Sequence, residues 1–256
     1  MNEMSIVMDI AKQAGQIICD AWTMNCLEVS FKGDINPVTK IDKKVEEFVS
    51  SMLKHSFPQY GILAEESREI KGSVNTRWII DPLDGTTNFI RHYPSVAISI
   101  ALEKEDELVL GLVYNPILNE MYTAENGKGA YCNGKLIHVS EISQLKSSVL
   151  ASGFPYDAWD NPNNNTMQWS KMIRECISLR CDGSAALDLC RVAAGQFDGY
   201  WEKGLSPWDV AAGSVIVREA GGLVTDYSNG CNFLFGGEII ASNPDLHKKI
   251  SLLMSV

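Results

Sequence analysis

The sequence predicts a mixed fold, an α+β half followed by an α/β half, and three observations predict it. Two amphipathic helical stretches open the chain, closely spaced strand-like runs follow the stretch at Trp78, and from Ser148 strands and helices alternate. The division is expected near residue 145, giving halves of residues 1–145 and 146–256. With 256 residues, 45% of them hydrophobic and 21% charged, the chain has the composition of an ordinary soluble enzyme and can bury a substantial core.

Ile6, Ile10, Ala14, Ile17, Ile18 and Ala21 recur at helical spacing, as do Val45, Phe48, Val49, Met52 and Leu53. Between these helices, Phe31 to Thr39 carries the Gly, Asn and Pro of a loop. Tyr60 to Ala64 reads as a short strand ending at Glu65-Glu66. Strands are expected over Val96 to Leu102, Leu108 to Val113, Glu120 to Thr123 and around Tyr131, in an antiparallel sheet. Beyond Ser148 the expected strands are Val149 to Ser152, Ser178 to Arg180, Tyr200-Trp201, Leu223 to Thr225 and Ile239 to Ser242. Helices are expected over Met167 to Cys176, Ser184 to Ala194, Val210 to Ala220 and from about Leu246; glycines at 195 and 221–222 stop the second and third. Asp157 to Asn165, rich in Asn and Asp, is the longest irregular stretch and an expected surface loop.

A net charge of −10 argues against non-specific binding to nucleic acid or an anionic membrane. The seven cysteines are scattered, odd in number and free of any Cys-x-x-Cys pair, which points to free thiols in a reducing compartment. Without a secretion-type N-terminus or an apolar run of membrane-spanning length, a cytoplasmic location is expected.

The chemistry concentrates in Trp78-Ile79-Ile80-Asp81-Pro82-Leu83-Asp84-Gly85-Thr86-Thr87-Asn88-Phe89. An apolar strand ends in Asp81, Pro82 is expected to stop the ladder, and Asp84-Gly85 makes a turn into a helix start capped by Thr86 or Thr87. Two carboxylates suited to a hard cation thus sit beside outward-pointing amides suited to an anion. Asp-Pro and Asp-Gly are also common turn dipeptides, so residues elsewhere must support this reading. Glu65 ends a strand, Asp42 starts the second helix, and Asp209 lies in the first turn of a helix opened by Pro207. Singly, Asp209 reads as a helix-dipole carboxylate, Asp42 as part of a capping box with Thr39, and Glu65 as a solvated charge. Jointly they match the needs of Mg²⁺, which takes oxygen ligands from several elements and can activate water for in-line attack on a phosphate monoester. Signatures of Cys-, Asp- or His-phosphoenzyme routes and of a nucleotide-binding loop are absent, and the four histidines do not cluster as zinc ligands.

Leu63-Ala64-Glu65-Glu66-Ser67, the Trp78–Phe89 stretch and Pro207-Trp208-Asp209-Val210-Ala211-Ala212-Gly213 resemble, in order and spacing, the three signatures of the inositol monophosphatase family. Asp182-Gly183-Ser184-Ala185-Ala186-Leu187-Asp188-Leu189 resembles a fourth family segment, and the likeness covers nearly the whole chain. The resemblance implies a layered α-β-α-β-α fold, a homodimer, inhibition by lithium, and two or three Mg²⁺ ions. It implies that Glu65, Asp81 and the Leu83 carbonyl hold a first ion, that Asp81, Asp84 and Asp209 hold a second, and that a third, weaker ion lies near Glu65. Thr86, paired with Asp42, would orient and help deprotonate the attacking water, and the Gly85 and Thr86 amides would hold the phosphate. Gly183, Ser184, Ala185 and Glu202 match positions that contact the substrate's hydroxyls, and Lys32 matches a lysine beside the metals. Lys32 also reads as a solvated loop charge, Gly183-Ser184 as a plain turn, and Glu202 as an exposed strand carboxylate.

The implied substrate is a small phosphorylated polyol or sugar, inositol monophosphate foremost. Relatives also act on fructose 1,6-bisphosphate, histidinol phosphate and 3′-phosphoadenosine 5′-phosphate, and Thr87-Asn88 departs from the Lys-Glu common in the last group. A hypothesis of another class is a non-catalytic metal-binding regulatory protein, although every matching carboxylate is present.

Overall fold

A computed structural model of the chain describes residues 2–23, 29–32 and 36–254, with the side chains of 29–32 and 36–38 outside the description. The amphipathic helices α1 (Glu3–Trp22) and α2 (Lys40–Ser56) pack together and bury Val7, Ile10, Ile18, Val45, Val49 and Leu53. Between them the expected loop contains β1 (Val29–Lys32) and β2 (Asn36–Thr39), an antiparallel pair with Pro37 opposite Phe31. A two-stranded ribbon is all edge and therefore admits a proline that a central strand would exclude.

A seven-stranded sheet follows in the order β3-β4-β5-β6-β7-β8-β9. Its strands are β3 (Gly61–Ala64), β4 (Thr76–Asp84), β5 (Ala97–Lys104), β6 (Glu107–Asn115), β7 (Glu120–Glu125), β8 (Ala130–Cys132) and β9 (Lys135–Ile137). Only β3 and β4 pair in parallel; the other neighbours are antiparallel. The strand expected around Tyr131 is therefore a hairpin of two. Pro82 does not stop β4: the register to β5 shifts between Asp81 and Asp84, and the strand continues. The irregularity absorbs the missing proline N–H and carries a second aspartate to the sheet end.

The second sheet has the order β11-β10-β12-β14-β13, built from β10 (Val149–Ser152), β11 (Ser178–Arg180), β12 (Gly199–Lys203), β13 (Leu223–Thr225) and β14 (Glu238–Ser242). β10 pairs in parallel with β11 and β12, while β14 is antiparallel to both of its neighbours. Helix α3 (Thr86–Ile90) follows β4, and α4 (Thr166–Met172) follows the Asn-rich loop. The latter stops short of the expected Cys176, because after buried Met172 the chain turns Ile173 and Ile177 outward, at 56% and 66% exposure, with no core for a longer helix to cover.

Helices α5 (Ala185–Ala193) and α6 (Pro207–Glu219) lie between the sheets, packed on each other, on β5 and β6, and on β12 and β14. Helix α7 (Pro244–Met254) covers the outer face of the second sheet with α4. The order is thus α1/α2, seven-stranded sheet, α5/α6, five-stranded sheet, α4/α7: the layered α-β-α-β-α fold. Three hydrophobic cores fill the spaces, and the middle one draws Ile79 and Val113 from the first sheet and Tyr200 and Ile239 from the second. Among the described residues no helix is long and apolar enough to cross a membrane.

Candidate active site

The carboxyl ends of β3 and β4, the start of α6 and the loops before α4 and α5 meet at a cleft of about 470 Å³. Glu65, Asp81, Leu83, Asp84, Gly85, Thr86 and Asp209 line it on one side, and Gly183, Ser184, Ala185, Asp188 and Glu202 on the other. All the sequence-predicted residues but two are therefore brought to one cavity. Asp42 stands behind the cleft, joined to Thr86, and the Lys32 side chain lies outside the described residues.

Asp42 combines the two roles that the sequence offered as alternatives. Its Oδ2 accepts from the Thr39 backbone N–H (2.8 Å) and hydroxyl, closing the capping box of α2. Its Oδ1 accepts from the Thr86 hydroxyl at 2.8 Å. Both residues are buried, Asp42 at 1% and Thr86 at 8% exposure, so the pair is fixed by packing as well as by hydrogen bonds. The cap of α3 is Gly85 instead of a threonine. At φ +90° with the Ser95 carbonyl 2.6 Å from where a Cβ would sit, position 85 admits only glycine. Thr86 is thereby free to turn its hydroxyl to Asp42.

Asp81, Asp84 and Asp209 each have a backbone anchor. Asp81 accepts from the Leu83 N–H at 2.9 Å. Asp84 accepts from the Ser184 hydroxyl (2.6 Å) and the Ala186 N–H (2.8 Å) at the start of α5. Asp209 accepts from the Ser206 N–H at 2.7 Å in the capping box of α6, while the Ser99 hydroxyl on β5 holds the Trp208 carbonyl at 3.2 Å. Glu46 accepts from the Glu66 N–H at 2.7 Å and so fastens the segment that carries Glu65.

Burial raises the carboxyls of Asp81, Asp84 and Asp209, Asp84 to about 6. Mutual repulsion adds to this: Glu65, Asp84 and Asp209 act on Asp81, and Asp84 acts on Asp209. No Lys, Arg or His lines the cleft among the described residues. The donor set fits a hard divalent cation, because oxygen ligands of like charge facing a site without a basic side chain require an external counter-charge. Among the described residues the carboxylates do not form a ready-made chelate of three or more ligands.

On the opposite wall, the Tyr200 hydroxyl donates to Glu202, whose carboxyl burial raises to about 7. Ser184, expected to meet substrate, lines the cleft, donates to Asp84 and caps α5 by accepting from the Leu187 N–H at 3.3 Å. Asn88 reaches across the cleft floor to the carbonyls of Asp182 (2.8 Å) and Ser95 (2.8 Å).

The profile of the inositol monophosphatase family matches residues 2–254. The chain belongs to this family. Membership suggests a phosphatase that depends on metal and takes a small phosphorylated substrate. The chain is 42% identical to the Nus factor SuhB of Escherichia coli over 247 residues, 96% of this chain and 92% of that one. It is 39% identical to the inositol-1-monophosphatase of Mesorhizobium japonicum, covering 96% of this chain and 94% of the relative. The structure of the inositol monophosphatase from Anabaena (Nostoc) sp. is similar at a TM-score of 0.89 and 36% identity, covering 98% of this chain and 94% of that one. The family fold accounts for the layering, and the site lies where its strands end.

Proposed function

We propose that this protein is a Mg²⁺-dependent phosphatase that hydrolyses the monophosphate of a polyol, inositol monophosphate foremost, in a reducing, cytoplasmic setting and as a lithium-sensitive homodimer. The observation that carries the reading is the buried Thr86–Asp42 pair beside the carboxylates of one cleft. Glu65, Asp81 and the Leu83 carbonyl would hold one Mg²⁺, and Asp81, Asp84 and Asp209 a second, with a third near Glu65. Bound Mg²⁺ supplies positive charge against the phosphoryl group and lowers the pKa of coordinated water. Thr86 Oγ1, its own proton committed to Asp42 Oδ1, would accept a hydrogen bond from the attacking water and draw off its proton. The Asp42 carboxylate, saturated on Oδ2 by Thr39, fixes the direction of that transfer. The Gly85 and Thr86 amides would hold the phosphate, and Gly183, Ala185 and Glu202 the hydroxyls of the leaving group.

An acidic wall without a basic side chain favours a single phosphate on an uncharged or cationic leaving group. Fructose 1,6-bisphosphate and 3′-phosphoadenosine 5′-phosphate would bring a second phosphate with no Arg or Lys to meet it among the described lining residues. The test is phosphate release from a panel of these substrates and histidinol phosphate, with Mg²⁺, with EDTA, and with Mg²⁺ plus Li⁺. Fastest Mg²⁺-dependent release from inositol monophosphate is expected. The Escherichia coli relative is named a Nus factor, and the competing reading is a regulatory protein without turnover. No release from any substrate by folded, Mg²⁺-bound protein would favour that reading.

A further inference from the structure

The segment that leaves β10, Gly153 to Tyr156, is fixed at two points before it reaches the mouth of the cleft. Asn165 Nδ2 donates to the Gly153 carbonyl at 2.7 Å. Gly153 lies so close to Glu202 that a Cβ there would be 2.3 Å from the carboxylate. Pro155 rests on Gly204, with its Cβ 2.6 Å from where a side chain at 204 would begin. Tyr156 comes next. It is 49% exposed and lines the cleft together with Gly85, Thr86, Thr87 and the carboxylates of Glu65, Asp81 and Asp84. A phenol is protonated at neutral pH and so offers the cleft an uncharged proton donor.

We propose that Tyr156 is a phosphate-binding residue, whose hydroxyl donates a hydrogen bond to an outward-facing oxygen of the substrate's phosphoryl group. The proposal rests on the phosphatase reading above. That reading seats the phosphoryl group between the carboxylates and Gly85-Thr86, beside Thr87. The described lining holds no Lys, Arg or His, and what it offers to an oxygen turned away from the ions is neutral donors. A phenol supplies one without adding charge. The two anchors of the segment hold it in place before substrate arrives, so little ordering cost remains.

Tyr156→Phe keeps the ring and removes only the oxygen. The measurements are calorimetric binding of inorganic phosphate in the presence of Mg²⁺, and KM and kcat for inositol 1-phosphate. Phosphate Kd and KM are expected to rise together by about tenfold, the scale of one hydrogen bond to a charged group, with kcat changing much less. Equal phosphate affinity in the variant and the unaltered protein would overturn the assignment. A raised KM with unchanged phosphate Kd would also overturn it, moving the hydroxyl to the polyol. Unaltered protein that binds phosphate but hydrolyses no ester would sink the phosphatase reading, and the two phosphate affinities would still decide the role of Tyr156. Absence of phosphate binding by the unaltered protein would overturn both.

Discussion

The carboxylates of the cleft hang from the ends of β3 and β4 and the first turn of α6, those of Asp81, Asp84 and Asp209 each accepting from a backbone N–H, whereas much of the opposite wall comes from connections, residues 153–156 and 181–184, with only Glu202 on a strand. The first wall is held by elements packed into two of the three cores and tolerates little displacement. The second depends on long-range ties, such as Asn165 to Gly153 and Asn88 to Asp182. On the phosphatase reading, chemistry that needs fixed charges would sit on the rigid wall, and contacts that select the substrate would sit where loops can vary without disturbing it.

Asp84→Asn strikes the rigid wall. The amide keeps an oxygen for Ser184 and Ala186 but loses the charge, so folding should persist while hydrolysis falls by about 10³-fold, the loss of several kcal/mol of metal-centred stabilisation. Steady-state kinetics beside circular dichroism checks this, and a folded variant of full activity would remove Asp84 from the metal wall. Glu202→Gln strikes the other wall. KM for inositol 1-phosphate should rise by about tenfold while phosphate affinity holds, because only a leaving-group contact is altered. A loss as deep as that of Asp84→Asn would erase the contrast between the walls.

The smallest effect sharpens the comparison through pH. Asp81, Asp84 and Asp209 hold protons more tightly when folded, so they favour the metal-free fold at low pH and that contribution is lost as pH rises; for Asp84 the window runs from 3.8 to about 6. Scanning calorimetry of metal-free protein should show Tm falling by a few degrees between about pH 5 and about pH 8, with Mg²⁺ restoring it most at the higher pH. A Tm indifferent to Mg²⁺ at both pH values would argue against a cation among these carboxylates.

Much of the rigid wall was legible in the sequence because its signals are local: an apolar strand ending in Asp, an Asp-Gly turn, a proline opening a helix. The periodicity likewise gave α1, α2 and most strands, while the layering came only with the family resemblance. What escaped depends on contacts between residues far apart in the chain. Glu46 meets the Glu66 N–H across 20 residues, and Asn88 meets the Asp182 carbonyl across 94, so neither leaves a local pattern. Pro82 misled because a bulge relieves the constraint that would otherwise end a strand. Tyr156 stands one residue before the Asn-rich loop, and its orientation is set by Gly153 and Pro155, whose partners Asn165 and Gly204 could be found only in three dimensions.

The double bond-making of Asp42 reaches into heredity. One oxygen closes the start of a helix and the other orients a threonine, so on the phosphatase reading a single codon would carry both foldability and turnover. Asparagine offers one acceptor where the position uses two, and glutamate carries its oxygens a methylene too far from a site that is 1% exposed. A lineage that abandoned catalysis would still be expected to retain this aspartate for the helix alone, so its presence in a relative is weak testimony that the relative is an enzyme.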